Sequence, residues 1–216
     1  MKKLTITLFL CALLSSTSSF GQAPANFNGV VYQDVSLYRA QNKYTPQWEV
    51  IKEEDIAWSK RVWRTIDLSD KENALLNQSA THPSIGDLLL NGVYTAAFKT
   101  YKGTDDRFTT ELTSKDVEAL KSLRGKKITS LKIKEDWIML KKNNKMVVRI
   151  VAMAPVTQNG SEAQSEFWIY YPEARTYLAQ QPLVTPNNGP ATMDEVFEGR
   201  FFASKIDKVS EPMIKQ

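Results

Sequence analysis

Hydrophobic positions along this chain change rhythm near residue 126. Before it they fall mostly at helical spacing, and after it they alternate. The first helix signal spans residues 53–67. At about 100° per residue, Ile56, Trp58, Val62, Trp63 and Ile66 gather in one arc of roughly 160°, with Lys60, Arg61 and Arg64 on the opposite side. Glu53, Glu54 and Asp55 crowd the first turn, where the helix dipole favours anions. The pattern therefore predicts a helix with an apolar, aromatic face and a basic face. Residues 84–87 have capping-box spacing ahead of Leu88, Leu89 and Leu90, predicting a short helix that stops near Asn91 and Gly92. Residues 93–101 then read as a strand and 102–106 as a turn. The best-signalled helix is 113–125. Thr113 caps it, Asp116 completes the box, Leu112 and Val117 form the hydrophobic staple, and Gly125 ends it.

From residue 126 to 171 the chain reads as strands. Ile128, Leu131 and Ile133 make one run. Residues 137–142 and 145–154 make two more, joined at Asn143 and Asn144, which tolerate the positive φ of a tight hairpin. Glu135 and Asp136 read as a turn between strands, and 157–164 as a polar loop. In 167–171, Phe167, Ile169 and Tyr171 face one side of a strand while Trp168 and Tyr170 face the other. Both sides are apolar or aromatic, so each needs cover or a partner. Pro172 opens a short helix, 181–190 is a loop, and Thr192 with Glu195 marks another helix start. Helices mixed with runs of strands predict an α+β fold with an antiparallel sheet, its strands mainly in 126–171.

The first residues stand apart. Lys2 and Lys3 precede a short apolar run from Leu4 to Leu14, and Ser19, Phe20 and Gly21 fit a small-x-small cleavage site. We read 1–21 as a signal peptide, 22–49 as an N-terminal arm in which Val30, Val31, Tyr32, Val35, Leu37 and Tyr38 suit a docking strand, and 50–216 as a single domain. Localisation is then expected outside the cytoplasm.

Composition narrows the chemistry. With 42% hydrophobic residues among 216, the chain has enough apolar material to bury a core. One Cys and one His leave little for zinc or for a nucleophilic triad. The His, His82, sits beside Pro83 in a loop, and no G-x-S-x-G or phosphate loop occurs. Asp105 and Asp106 next to Gly103 suit a turn better than a calcium site. Glu135 and Asp136 beside Trp137 are the best carboxylate pair for a glycosidase, which needs two acids about 5–10 Å apart. A net charge of +4 carries no basic stripe of the kind nucleic acid needs. No cofactor, metal or nucleic acid is expected. An exported carbohydrate-binding or hydrolytic protein is the alternative reading, and aromatic density favours binding or assembly over catalysis.

Four segments carry a family resemblance. Residues 55–67, with Trp58, Ser59, Lys60, Arg61, Val62, Trp63 and Arg64 in sequence, resemble the signature helix of the gliding motility protein family GldN, also called PorN. Residues 133–137, including Trp137, and 167–175 match in order, and Phe197 with Arg200 and Phe201 resembles the closing segment. The resemblance implies a non-enzymatic periplasmic subunit of the Bacteroidetes type IX secretion and gliding machinery. It implies assembly with a GldK- or PorK-like lipoprotein into a ring below the outer membrane, and contact with a GldM- or PorM-like motor protein. Membrane association is then indirect, through the lipoprotein. Lys60, Arg61, Arg64, Trp168 and Tyr170 are the expected partner-binding residues. Trp58, Val62, Trp63, Ile66 and Trp137 are the expected structural signature.

Overall fold

The first predicted helix is a strand. A computed structural model describes residues 47–77, 79, 82–105, 107–123, 127–159, 162–183, 185, 190 and 192–214. The leader and nearly all of the arm therefore lie outside the described residues. Only Glu53–Asp55 forms a helical turn, and β1 (Ile56–Asp67) follows as a continuous strand. Val62, Arg64 and Ile66 are buried while Arg61, Trp63 and Thr65 between them are half-buried, which is the two-residue period of a sheet. Ile56, Trp58, Val62, Trp63, Thr65 and Ile66 are β-branched or aromatic and favour a pleated surface. The helical arc looked convincing because apolar residues occupy both faces of the strand.

The remaining strands are β2 (Thr100–Lys102), β3 (Ile128–Leu140), β4 (Met146–Asn159), β5 (Glu162–Ser165), β6 (Phe167–Tyr170), β7 (Lys205–Val209) and β8 (Met213–Ile214). They form one antiparallel sheet in the order β2-β6-β4-β3-β1-β7, with β5 on β4 and β8 on β1. The helices are α1 (Ile85–Tyr94), α2 (Ser114–Ala119), α3 (Tyr171–Ala179) and α4 (Met193–Glu198). The fold is α+β, as the sequence predicts.

Local signals explain most boundaries. Ser84 accepts from the Asp87 amide, Thr113 and Asp116 close a reciprocal capping box, and Thr192 accepts from the Glu195 amide. The β3–β4 hairpin turns at Asn144, whose φ is 52°. Four boundaries differ from expectation. The α-helix expected over 113–125 ends at Ala119 and passes into a 3-10 turn at Leu120–Leu123. The strand β3 passes without a break through Glu135 and Asp136, because arginines on either side pair with those acids. Residues 157–164 are not a loop. There β4 runs on to Asn159 and folds back as β5. The helix α1 continues past Gly92 to Tyr94, so the predicted strand at 93–101 shrinks to β2. Gly92 serves close packing rather than termination, since a Cβ there would overlap the Phe98 ring.

The main core lies between one sheet face and the helices. Ile66, Leu131, Ile133, Met153, Phe167 and Ile169 from strands meet Leu89, Leu178, Val196 and Phe197 from helices. A smaller cluster of Tyr101, Ala152, Ala154 and Trp168, with Phe108 and Tyr170 against it, covers the other face near β6. The split of residues 167–171 between two faces is as the alternation predicts.

Candidate functional site

Glu135, at the middle of β3, is almost fully buried and is the centre of a charged cluster. It accepts from Arg64 Nε on β1 at 3.0 Å, from the Arg200 guanidinium just beyond α4, and from Trp137 Nε1 at 2.9 Å. Arg64 also donates through Nη1 to Ser204 Oγ at 3.0 Å, and its guanidinium lies over the Trp137 ring. Taking such charges out of water is costly, and only complete pairing offsets it. Arg200 has φ 59°, the left-handed region usually left to glycine. Its ion pair with Glu135 opposes that conformational cost. Asn73, also buried, completes the clamp by donating to Ala203 O at 3.1 Å and accepting from the Ala203 amide at 2.8 Å. Residues 200–204, which lead into β7, are thus tied to β1, β3 and the turn after β1.

Asp136 points to the opposite side of β3 and takes a bidentate pair from Arg61, with Nη2 to Oδ2 at 3.0 Å. The basic face expected from the helix does not form. A strand sends Arg61 to one side and Lys60 and Arg64 to the other. Arg64 is buried in an ion pair, Arg61 is paired and half-exposed, and Lys60 lies over the Trp58 ring. Trp63 is half-buried under Lys208 of β7. Val62 and Ile66 are fully buried.

A second cluster joins α3, α4 and the start of the described chain. Arg175 pairs with both Asp194 oxygens at 3.3 Å, Tyr171 Oη donates to Asp194 at 2.8 Å, and Trp48 Nε1 donates to Glu198 at 2.9 Å. The Trp48 ring packs against the guanidinium groups of Arg149 and Arg175. Burial pushes the Asp194 carboxyl above its ordinary range although Arg175 opposes this. Burial and the nearby acids push the Tyr171 phenol well up.

Trp168 and Tyr170 do not form an open surface. Trp168 donates to Gly103 O at 3.1 Å and is buried with Phe108 and Tyr170 beneath the loop after β2. In that loop Asp105 accepts from the Thr109 hydroxyl and from the amides of Arg107, Thr109 and Thr110. It therefore closes a turn. His82 makes a contact with its neighbour Pro83 O. Glu135 and Asp136 face opposite sides of one strand and are both held by arginines, so they do not frame a common substrate as a glycosidase pair must. Among the described residues no group of three His, Cys, Asp or Glu is placed to hold a metal, and no helix is long and apolar enough to cross a membrane.

Sequence reasoning missed the pairing of Arg64, Arg175 and Arg200. Each looks polar in a linear scan, and the available signal was a charged residue embedded in an apolar strand or helix face. Large apolar side chains are exposed at Val50, at Phe201 and along a strand edge. All of β7 is exposed, with Ile206 at 42% and Val209 at 45%, and Met213 beyond it at 50%.

The domain is of the α+β class, an antiparallel sheet backed by short helices, with Arg61 and Arg64 of its recognisable stretch held in ion pairs with Asp136 and Glu135. The family profile of the gliding motility associated protein GldN matches residues 51–216, and the chain belongs to that family. No curated protein matches the chain in sequence.

Proposed function

We propose that this chain is a non-enzymatic structural subunit of the type IX secretion and gliding motility machinery. In this reading it is exported to the periplasm and assembles with a GldK- or PorK-like lipoprotein into a ring. It contacts a GldM- or PorM-like motor protein and reaches the outer membrane only through the lipoprotein. Membership of the GldN family over residues 51–216 carries the reading. It is supported by the use of Arg61 and Arg64 in holding the sheet together, a structural rather than a chemical use of the motif's charged residues. Co-purification from crosslinked cells tests it. The tagged protein is expected to bring down a lipoprotein and a motor component in stoichiometric amounts. Recovery of the monomer alone, or with polysaccharide-processing proteins, overturns it.

A further inference from the structure

The two edges of the sheet differ. Along β2 the outer side is bridged by residues 110–112. Lys102 donates to Thr110 O at 3.0 Å, Leu112 donates to Thr100 O at 2.9 Å, and Tyr101 bridges Glu111. At the other end, β7 pairs with β1 on one side, and among the described residues no strand pairs with its outer side. A free edge of this kind is a template for a further strand.

The edge has two chemically distinct sides. Val209 pairs with Val62 and Ile206 with Arg64, whereas Lys208 pairs with Trp63 and Lys205 with Thr65. Opposed residues of an antiparallel pair project to the same side. Ile206 and Val209 therefore share one side, and Lys205 and Lys208 the other. Three-residue spacing on one side requires a bulge, which the register places at Asp207 between Ile206 and Lys208. The Asp207 carboxylate is taken up by the Thr65 hydroxyl at 2.6 Å. Lysines on an edge discourage indiscriminate pairing. A fitting strand must bring apolar residues on one side and an acid or aromatic rings on the other.

The sequence of this chain contains a stretch of that pattern in the arm ahead of Gln47. In residues 30–38, taken as extended, Val31, Val35 and Leu37 fall on one side, and Tyr32, Asp34 and Tyr38 on the other. Asp34 matches Lys205 and Lys208 in charge, and the tyrosines suit contact with lysine. Extended, this stretch spans about 30 Å, enough to run beside β7 and on toward Met213. Its root is fixed, because Trp48 is held by Glu198 and between arginines of α3 and β4.

We propose that residues 30–38 of one copy add as a strand to the free edge of β7 in the next copy. Such a contact is heterologous, donor to acceptor, and propagates head to tail into a ring when the rotation closes. The inference rests on the assembly reading above and specifies how copies join.

Cys11 is the only cysteine and lies in the predicted leader, so the exported chain offers a clean background for disulfide trapping. Full exported chains carrying Val35→Cys or Ile206→Cys are mixed, oxidised gently and run without reductant. A mixed dimer linked between positions 35 and 206 is expected, in large excess over a control pairing Val35→Cys with Ser69→Cys. A chain carrying both substitutions is expected to give a ladder. No 35–206 link, a link as strong to position 69, or closure of the double variant within single monomers overturns the proposal. Because cysteine could disturb the edge, a charge swap provides an independent reading by light scattering. Asp34→Lys is expected to reduce self-association several-fold, and adding Lys205→Glu with Lys208→Glu to restore it. Unchanged association in Asp34→Lys, or failure of the swap to restore it, also overturns the proposal. Co-purification with the lipoprotein is scored separately. If it persists while strand donation fails, only the present inference falls.

Discussion

Arg64 Nε on β1 lies 3.0 Å from Glu135 Oε2 on β3, with both side chains nearly inaccessible to water. This pair converts the most recognisable stretch of the sequence from a presumed binding face into an internal brace. It also ranks the mutations that follow.

Glu135→Leu removes a carboxylate shared by Arg64 and Arg200 and deprives two buried guanidinium groups of that counter-charge. Breaking a buried ion pair from one side typically costs about 3–5 kcal/mol. The variant is expected to unfold at markedly lower urea concentration than the wild type, or to lose soluble expression. A midpoint close to wild type would show that Arg64 and Arg200 find other partners.

Arg61 and Arg64 are separable although they stand three residues apart. Arg61 and Asp136 keep about 30% of their side-chain surface exposed, whereas Arg64 and Glu135 keep 6% and 1%. Solvent screens the first pair, so Arg61→Ala is expected to cost about 1 kcal/mol or less. Arg64→Ala is expected to cost several times more. Thermal melts of the two single variants check the order, and equal losses would contradict it.

Gly103→Ala tests the loop that covers Trp168. A Cβ there would overlap the backbone oxygen of Ser165, which cannot swing aside as a side chain does. Overpacking of this sort typically costs about 1–3 kcal/mol. The loop is expected to lift, with a red-shifted, more quenchable tryptophan emission as Trp168 gains water.

Asp105 supplies an acid-range signature. Desolvation alone would raise its carboxyl, but the Thr109 hydroxyl and the amides of Thr110, Arg107 and Thr109 hold it at about 2 against an ordinary 3.8. A depressed carboxyl favours the folded state above its unfolded pKa and loses that contribution as pH falls through the folded one. The loop should therefore loosen between about pH 4 and pH 2. Carboxyl-resolved NMR titration gives the midpoint directly. Asp105→Asn should flatten this part of the stability profile.

Much of the architecture was legible in the sequence for identifiable reasons. The helix starts at Ser84, Thr113 and Thr192 depend on hydrogen bonds within four residues, so local sequence suffices. The opposed faces of 167–171 follow from alternation alone. Residues 56–67 failed because Arg64, a charged residue, occupies a core position. Its burial depends on Glu135, seventy-one residues away along the chain. The same dependence hid the continuity of β3, where two adjacent acids resemble a turn until their arginine partners are in place. The family resemblance was legible in the motifs themselves, but the roles of those residues were not. A motif records which residues are retained, and the sheet register decides which of them meet.

The anchorage of residues 200–204 has a mechanical consequence. Arg200 on Glu135, Ala203 on Asn73 and Ser204 on Arg64 lie immediately upstream of the exposed β7. A tug on that strand along its length would load the β1–β7 hydrogen bonds and these three fastenings together, in shear, rather than opening them one after another. The traction would pass through Glu135 into β3, the middle of the sheet, instead of stripping away the margin. A subunit harnessed by its rim in moving machinery would in this way carry strain through a carboxylate almost fully closed off from water.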